Sequence, residues 1–140
     1  MPTPSPSSAP GSAPPIRVLE FAFTGYPVAD MPRARAFYEG VLGLKTGMVW
    51  EDKGRAWIEY DVGGHTLAIN TASPQWQPSR HGPALALEVE DFDATVAALR
   101  QHGARFTVEP LEVPTCRLAV ILDPDGNSLA IHQRKAGAPA

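Results

Sequence analysis

Apolar positions along the chain switch between two spacings, and the switch happens twice. The run ALALEVE at 84–90 alternates, with Leu85, Leu87 and Val89 on one face and Ala84, Ala86 and Glu88 on the other. A period of two marks a half-buried strand. The run LEFAFTGYP at 19–27 is the matching extended stretch nearer the start. A helical spacing follows each. Ala34, Phe37, Tyr38, Val41 and Leu42 fall at i, i+3, i+4, i+7 and i+8, and Phe92, Val96 and Leu99 make a shorter stripe. Such stripes are the core-facing sides of amphipathic helices. Asp30 and Asp91 stand where N-caps belong, Pro32 fits a first turn, and Gly103 predicts the end of the second helix. Three short strands follow each helix, at about 46–50, 55–61 and 65–70 and again at about 105–109, 116–122 and 128–133. The residues 51–54, Gly63-Gly64 and Asp125-Gly126-Asn127 supply the turns between them.

The strand–helix–strand–strand–strand unit is thus written twice, and the residues repeat with it. YDVGGHTLAIN at 60–70 returns as LDPDGNSLAIH at 122–132, and Val28-Ala29-Asp30 returns as Val89-Glu90-Asp91. An internal repeat of this length implies two copies of one supersecondary unit. The first spans about 19–71 and the second about 83–133.

Composition trims the picture at its ends. The first fifteen residues hold six prolines and no charged side chain. Such a stretch buries too little apolar surface to offset its ordering entropy, so 1–15 is expected to be a disordered tail and 135–140 a loose end. The folded domain is then 16–134. A net charge of −3 gives no general pull toward nucleic acid or anionic membrane. No apolar run approaches the ~20 residues of a spanning helix. The single Cys116 excludes an internal disulfide and a four-cysteine zinc site, and a reducing, cytoplasmic setting is expected.

The segments VADMPRARAFYEGVLGL, VEDFDATVAALRQHG and DPDGNSLAI resemble the vicinal oxygen chelate superfamily, which includes glyoxalase I, extradiol dioxygenases and fosfomycin- and bleomycin-resistance proteins. The likeness covers about 19–133. It implies an α+β fold in which two βαβββ units form a curled eight-stranded mixed sheet, an open cup with the helices on its convex side. It also implies four positions where the family's enzymes place metal ligands, one on the first and one on the last strand of each unit. Those positions are Phe23, Ala68, Ala84 and Ala130 in this chain. None carries the imidazole nitrogen or carboxylate oxygen that a divalent metal there needs, so no metal cofactor is expected.

Alternation then gives the cup's lining. Leu67, Ile69, Leu129 and Ile131 face the core, and the floor is Phe23, Ala68, Ala84 and Ala130. Around it stand Asn70, Glu88, His132, Glu59 and the indole of Trp57. An apolar floor with a few polar groups at its rim suits a small organic molecule. A contact between Glu88 and His132 would satisfy both and would make an acid–base pair near neutral pH. The 70–80 segment with Trp76 reads as a plain linker, with a lid over the cup as the second reading. His65, His81 and His102 read as solvated, as do Arg33 and Arg35 on a helix face; Cys116 reads as a small structural residue and 123–127 as a turn.

These features point to a metal-independent binder that sequesters a small organic molecule, as bleomycin-resistance proteins do, working as a homodimer. The alternative is a glyoxalase-like lyase, isomerase or dioxygenase with a non-standard metal set or a Glu88/His132 acid–base pair. A scaffold with a vestigial cup is the third class.

Overall fold

The computed structural model describes residues 14, 15 and 17–136, so most of both expected tails lies outside it. The order is β1 (Thr24–Pro27), α1 (Met31–Arg35, continued as a π-helical turn over Ala36–Val41), β2 (Thr46–Asp52), β3 (Arg55–Val62) and β4 (His65–Asn70). The second unit follows as β5 (Leu85–Glu88), α2 (Phe92–Gln101), β6 (Arg105–Glu112), β7 (Cys116–Leu122) and β8 (Ser128–Arg134). The eight expected strands divide between two four-stranded mixed sheets, ordered β1-β4-β3-β2 and β5-β8-β7-β6. In each, the first strand runs parallel to the last and the rest pair antiparallel. The identical order is the structural form of the sequence repeat. No described helix is long and apolar enough to cross a membrane.

Local chemistry sets the ends of these elements. Asp30 accepts from the backbone N–H of Arg33 at 3.1 Å, and Asp91 from that of Ala94 at 3.0 Å. Each cap satisfies a donor that a helix start leaves open. Gly63 and Gly64 both have positive φ, 59° and 86°, as a tight hairpin of this hand requires.

Three expectations are corrected. The first strand begins at Thr24 rather than 19, and Leu19 and Phe21 lie exposed ahead of it. The first helix is not α-helical throughout: the Leu42 N–H reaches back five residues to the Phe37 carbonyl at 2.9 Å. The wider turn lets the consecutive Phe37 and Tyr38 both enter the core. It also holds Glu39 between Arg35 Nε at 2.6 Å and the Tyr60 hydroxyl at 2.8 Å. Arg33 and Arg35 are therefore paired rather than simply solvated, Arg33 with Asp125 at 2.8 Å.

One core joins the units. Ile58, Tyr60, Leu67 and Ile69 of the first sheet and Ala119, Ile121, Leu129 and Ile131 of the second form one cluster with helix residues such as Tyr38 and Phe92. Each such aliphatic side chain contributes about 1.5–3 kcal/mol by leaving water. The helices thus cover one face of each sheet and leave the other open. Two polar latches also cross between units. The Tyr26 hydroxyl donates to the Ser128 carbonyl and accepts from the Leu85 N–H, both at 2.6 Å. The turn at 123–127 receives α1: Tyr38 donates to Asp123 at 2.7 Å, and Asp125 accepts from the Ala29 N–H at 2.8 Å.

Candidate functional site

The open face of the first sheet follows from strand register. Gly25, Ala68, Glu59 and Met48 lie in one row across the four strands, and Pro27, Asn70, Trp57 and Trp50 in the next. The alternate residues Tyr26, Leu67, Ile69, Ile58 and Tyr60 point to the core. An aromatic cluster covers the open rows. Phe23 meets Trp57 edge-on at 5.1 Å between ring centroids, and Trp76 lies 6.5 Å from Trp57 at a 49° tilt. Trp76 comes from the 70–80 segment, so that segment folds back onto the sheet. Gly25 is what admits it: a Cβ there would stand 2.5 Å from Trp76 Cη2. Trp57 Nε1 donates to Glu59 Oε2 at 2.9 Å, which fixes the indole. Ala68 and Asn70 beneath are fully buried. Asn70 Oδ1 accepts from the Ala72 N–H at 3.1 Å, whereas its Nδ2 is buried with no partner among the described residues.

The second sheet's open face is plainer. Ala86, Ala130 and Val120 form one row, and Glu88, His132 and Leu118 the next. Glu88 Oε1 and His132 Nδ1 are 2.5 Å apart, and Glu88 Oε2 accepts from the Arg134 N–H at 2.7 Å. The Glu88 carboxyl is held below its usual range, first by the Arg134 N–H and then by His132. A lowered folded-state value stabilises the fold above the unfolded-state range and is lost as pH falls through that lowered value. Glu88→Gln should therefore flatten the acid limb of stability below about pH 4.5, read from urea midpoints across pH. The effect will be small, because the carboxylate is 40% exposed and solvent screens it. An acid limb identical to that of the unaltered protein would show that the pair contributes nothing.

A cavity of about 600 Å³ opens between β1, the β3–β4 turn and β5, lined by Phe23, Thr24, Val62, His65, Leu85 and Glu88. Of the residues that sequence singled out, Phe23, Trp57, Glu59, Ala68 and Asn70 lie together on the first sheet's side. Glu88, Ala130 and His132 lie on the second. Ala84 does not belong to the floor: it precedes β5 and is exposed, and Ala86 stands in its place beside Ala130. Phe23 likewise precedes β1, and Gly25 takes the strand position beside Ala68. Sequence reasoning missed Gly25 and left Trp76 in a linker. The glycine inside an apolar strand was the available signal for a close approach.

Among the described residues no three His, Cys, Asp or Glu side chains gather. Glu88 and His132 are two donors already engaged with each other, and Glu59 belongs to the other sheet and holds Trp57.

Residues 20–131 match the family model of the Glyoxalase/Bleomycin resistance protein/Dioxygenase superfamily. The chain is 31% identical over 121 residues to the anthracycline biosynthesis protein DauV of Streptomyces sp. (strain C5), covering 79% of this chain but only 40% of DauV. It is 27% identical to the lactoylglutathione lyase of Haemophilus influenzae, covering 84% of this chain and 95% of that one. Its fold is that of TnmS3, an antibiotic binding protein from Streptomyces sp. CB03234, with a TM-score of 0.72 at 24% identity over 86% of this chain and 99% of that one. With the repeat, the paired sheets and the family match in agreement, this chain belongs to the glyoxalase/bleomycin resistance protein/dioxygenase superfamily.

Proposed function

We propose that this protein binds and sequesters a flat, conjugated organic molecule in its cup, without a metal. The observation that carries the reading is the aromatic cluster of Phe23, Trp57 and Trp76 on an open sheet face, beside a cavity of about 600 Å³. Aromatic walls with a few fixed polar groups suit flat ligands. Phe23 and Trp57 stack on the ring, and Ala68 and Ala130 leave room as small residues. Glu59 and Glu88 favour amine or hydroxyl donors, and Asn70 and His132 meet polar groups on the ligand. The description of TnmS3 as an antibiotic binding protein agrees with this, as does the resemblance to DauV, a protein of anthracycline biosynthesis.

A thermal-shift screen of polycyclic aromatic amines, run with and without EDTA, tests the proposal. A ligand present at a hundred times its Kd stabilises the native state by about 2.7 kcal/mol. Hits should shift the melting temperature equally in both arms. A shift that chelation abolishes and zinc, nickel or manganese restores would replace this reading with a metal-dependent one.

We also propose a homodimer. All seven residues of β2 are exposed, and Met48, Val49 and Trp50 are each more than two-fifths uncovered. A second copy that covers such a strand should bury more than about 1,000 Å². Light scattering at micromolar concentration should return twice the chain mass, and a monomer there would count against it.

The Glu88–His132 contact favours a second reading, an enzyme of the lyase, isomerase or oxidoreductase type that uses this pair as acid and base. It requires turnover that His132→Gln abolishes while ligand binding persists.

A further inference from the structure

We infer that Asn70 selects the ligand, its side-chain amide donating to a carbonyl-type acceptor on a flat ring that enters between Trp57 and Trp76. The inference rests on the aromatic-binding reading above and narrows its ligand class to conjugated ketones and quinones. The amide's orientation is fixed, because only an oxygen can accept from the Ala72 N–H. Nδ2 therefore points away from that bond, and it is buried with no acceptor among the described residues. A buried donor without a partner is costly, and an aliphatic side chain would avoid that cost. Strand register puts Asn70 on the open face, directly opposite Trp57 on β3.

The two indoles are unequal walls. Trp57 is tied to Glu59 within the sheet. Trp76 sits on the β4–β5 connection and rests on Gly25, still 39% exposed. Their centroids are 6.5 Å apart. A ring inserted between them needs about 4.5 Å or more to each neighbour, so Trp76 swings outward as the ligand enters. A ring seated against Trp57 then lies over the sheet position that Asn70 shares with it in register, and a carbonyl on that ring supplies the acceptor the amide lacks.

The test uses the full chain and two probes, an aminoalkyl fluorenone and the aminoalkyl fluorene that lacks only the carbonyl. Binding is read by tryptophan fluorescence and by calorimetry. The ketone should bind roughly 10-fold or more tighter, because a site with a buried donor rejects the analogue that leaves it unpaired. In Asn70→Leu the two affinities should converge by loss of ketone binding, with fluorene binding kept. Asn70→Asp retains the acceptor for Ala72 and removes the donor, so the corresponding fluorenol should outrank the ketone. Equal binding of ketone and hydrocarbon by the unaltered protein would leave the aromatic site standing and overturn the role of Asn70. Failure of both to bind would overturn the aromatic site and this inference with it.

Discussion

Leu129→Ala is expected to lower stability by about 2–5 kcal/mol, while Ala130→Leu, one residue on, leaves the fold intact and weakens ligand binding. Leu129 is fully buried, flanked in register by Leu85 and Ile121, and belongs to the shared core. Shortening it removes apolar contact and leaves a cavity that its neighbours fill only in part. Ala130 faces the other way, between Ala86 and Val120 on the open side of the second sheet, and is partly exposed. A larger side chain there meets space rather than packed atoms, and it occupies the floor a ligand would use. Urea denaturation read by circular dichroism gives the first quantity, and titration with a ligand from the thermal-shift screen gives the second. A harmless Leu129→Ala together with a collapsed Ala130→Leu would mean that β8 is set one residue out of register.

The facing behind that contrast was readable from the sequence because β8 alternates between buried and partly exposed residues at Leu129, Ala130, Ile131 and His132. Alternation alone placed Leu67, Ile69, Leu129 and Ile131 in the core and Asn70 and His132 on the open side. The helix caps at Asp30 and Asp91 were readable for a similar reason: each bonds within its own first turn. What escaped depends on partners distant in the chain. The π-helical turn at Ala36–Val41 is held by Glu39 against Tyr60, a pairing that no local periodicity reveals. Pairing of β1 with β4 begins at Thr24 opposite Leu67, so Phe23 fell outside the strand. Trp76 lies on the sheet because Gly25 lacks a side chain, a condition visible only once the two are brought together. The 123–127 segment read correctly as a turn, yet its side chains also receive the first unit's helix.

Asp123 is the centre of that junction, and Asp123→Ala is expected to cost at least about 3 kcal/mol, since each buried group left unpaired costs about 1–3 kcal/mol. The carboxylate is only 4% exposed. Its Oδ1 accepts from the backbone N–H groups of Asp125 at 2.9 Å and Asn127 at 2.8 Å. Its Oδ2 accepts from the Tyr38 hydroxyl at 2.7 Å and from Asn127 Nδ2 at 3.0 Å. Alanine leaves the buried Tyr38 hydroxyl and Asn127 N–H without this acceptor, takes one bond from the part-buried Asp125 N–H, and leaves Asn127 Nδ2 only its bond to the Pro27 carbonyl at 2.8 Å. Tyr38 cannot escape the loss by ionising: burial, the largest cause of its raised phenol pKa, remains when the Asp123 charge is gone. Asp123→Asn keeps an oxygen for the two backbone donors and turns an amide toward Tyr38 and Asn127, so it should fall between alanine and the unaltered protein. Tyr38→Phe removes one donor and leaves the carboxylate three, and should cost less than Asp123→Ala. Because the two residues share one bond, their double mutant should fall short of the summed losses, as coupled neighbours do. Strict additivity in urea denaturation, or an Asp123→Ala loss below about 1 kcal/mol, less than a single orphaned group costs, would mean that the Asp123–Tyr38 bond adds nothing to the junction of the two units.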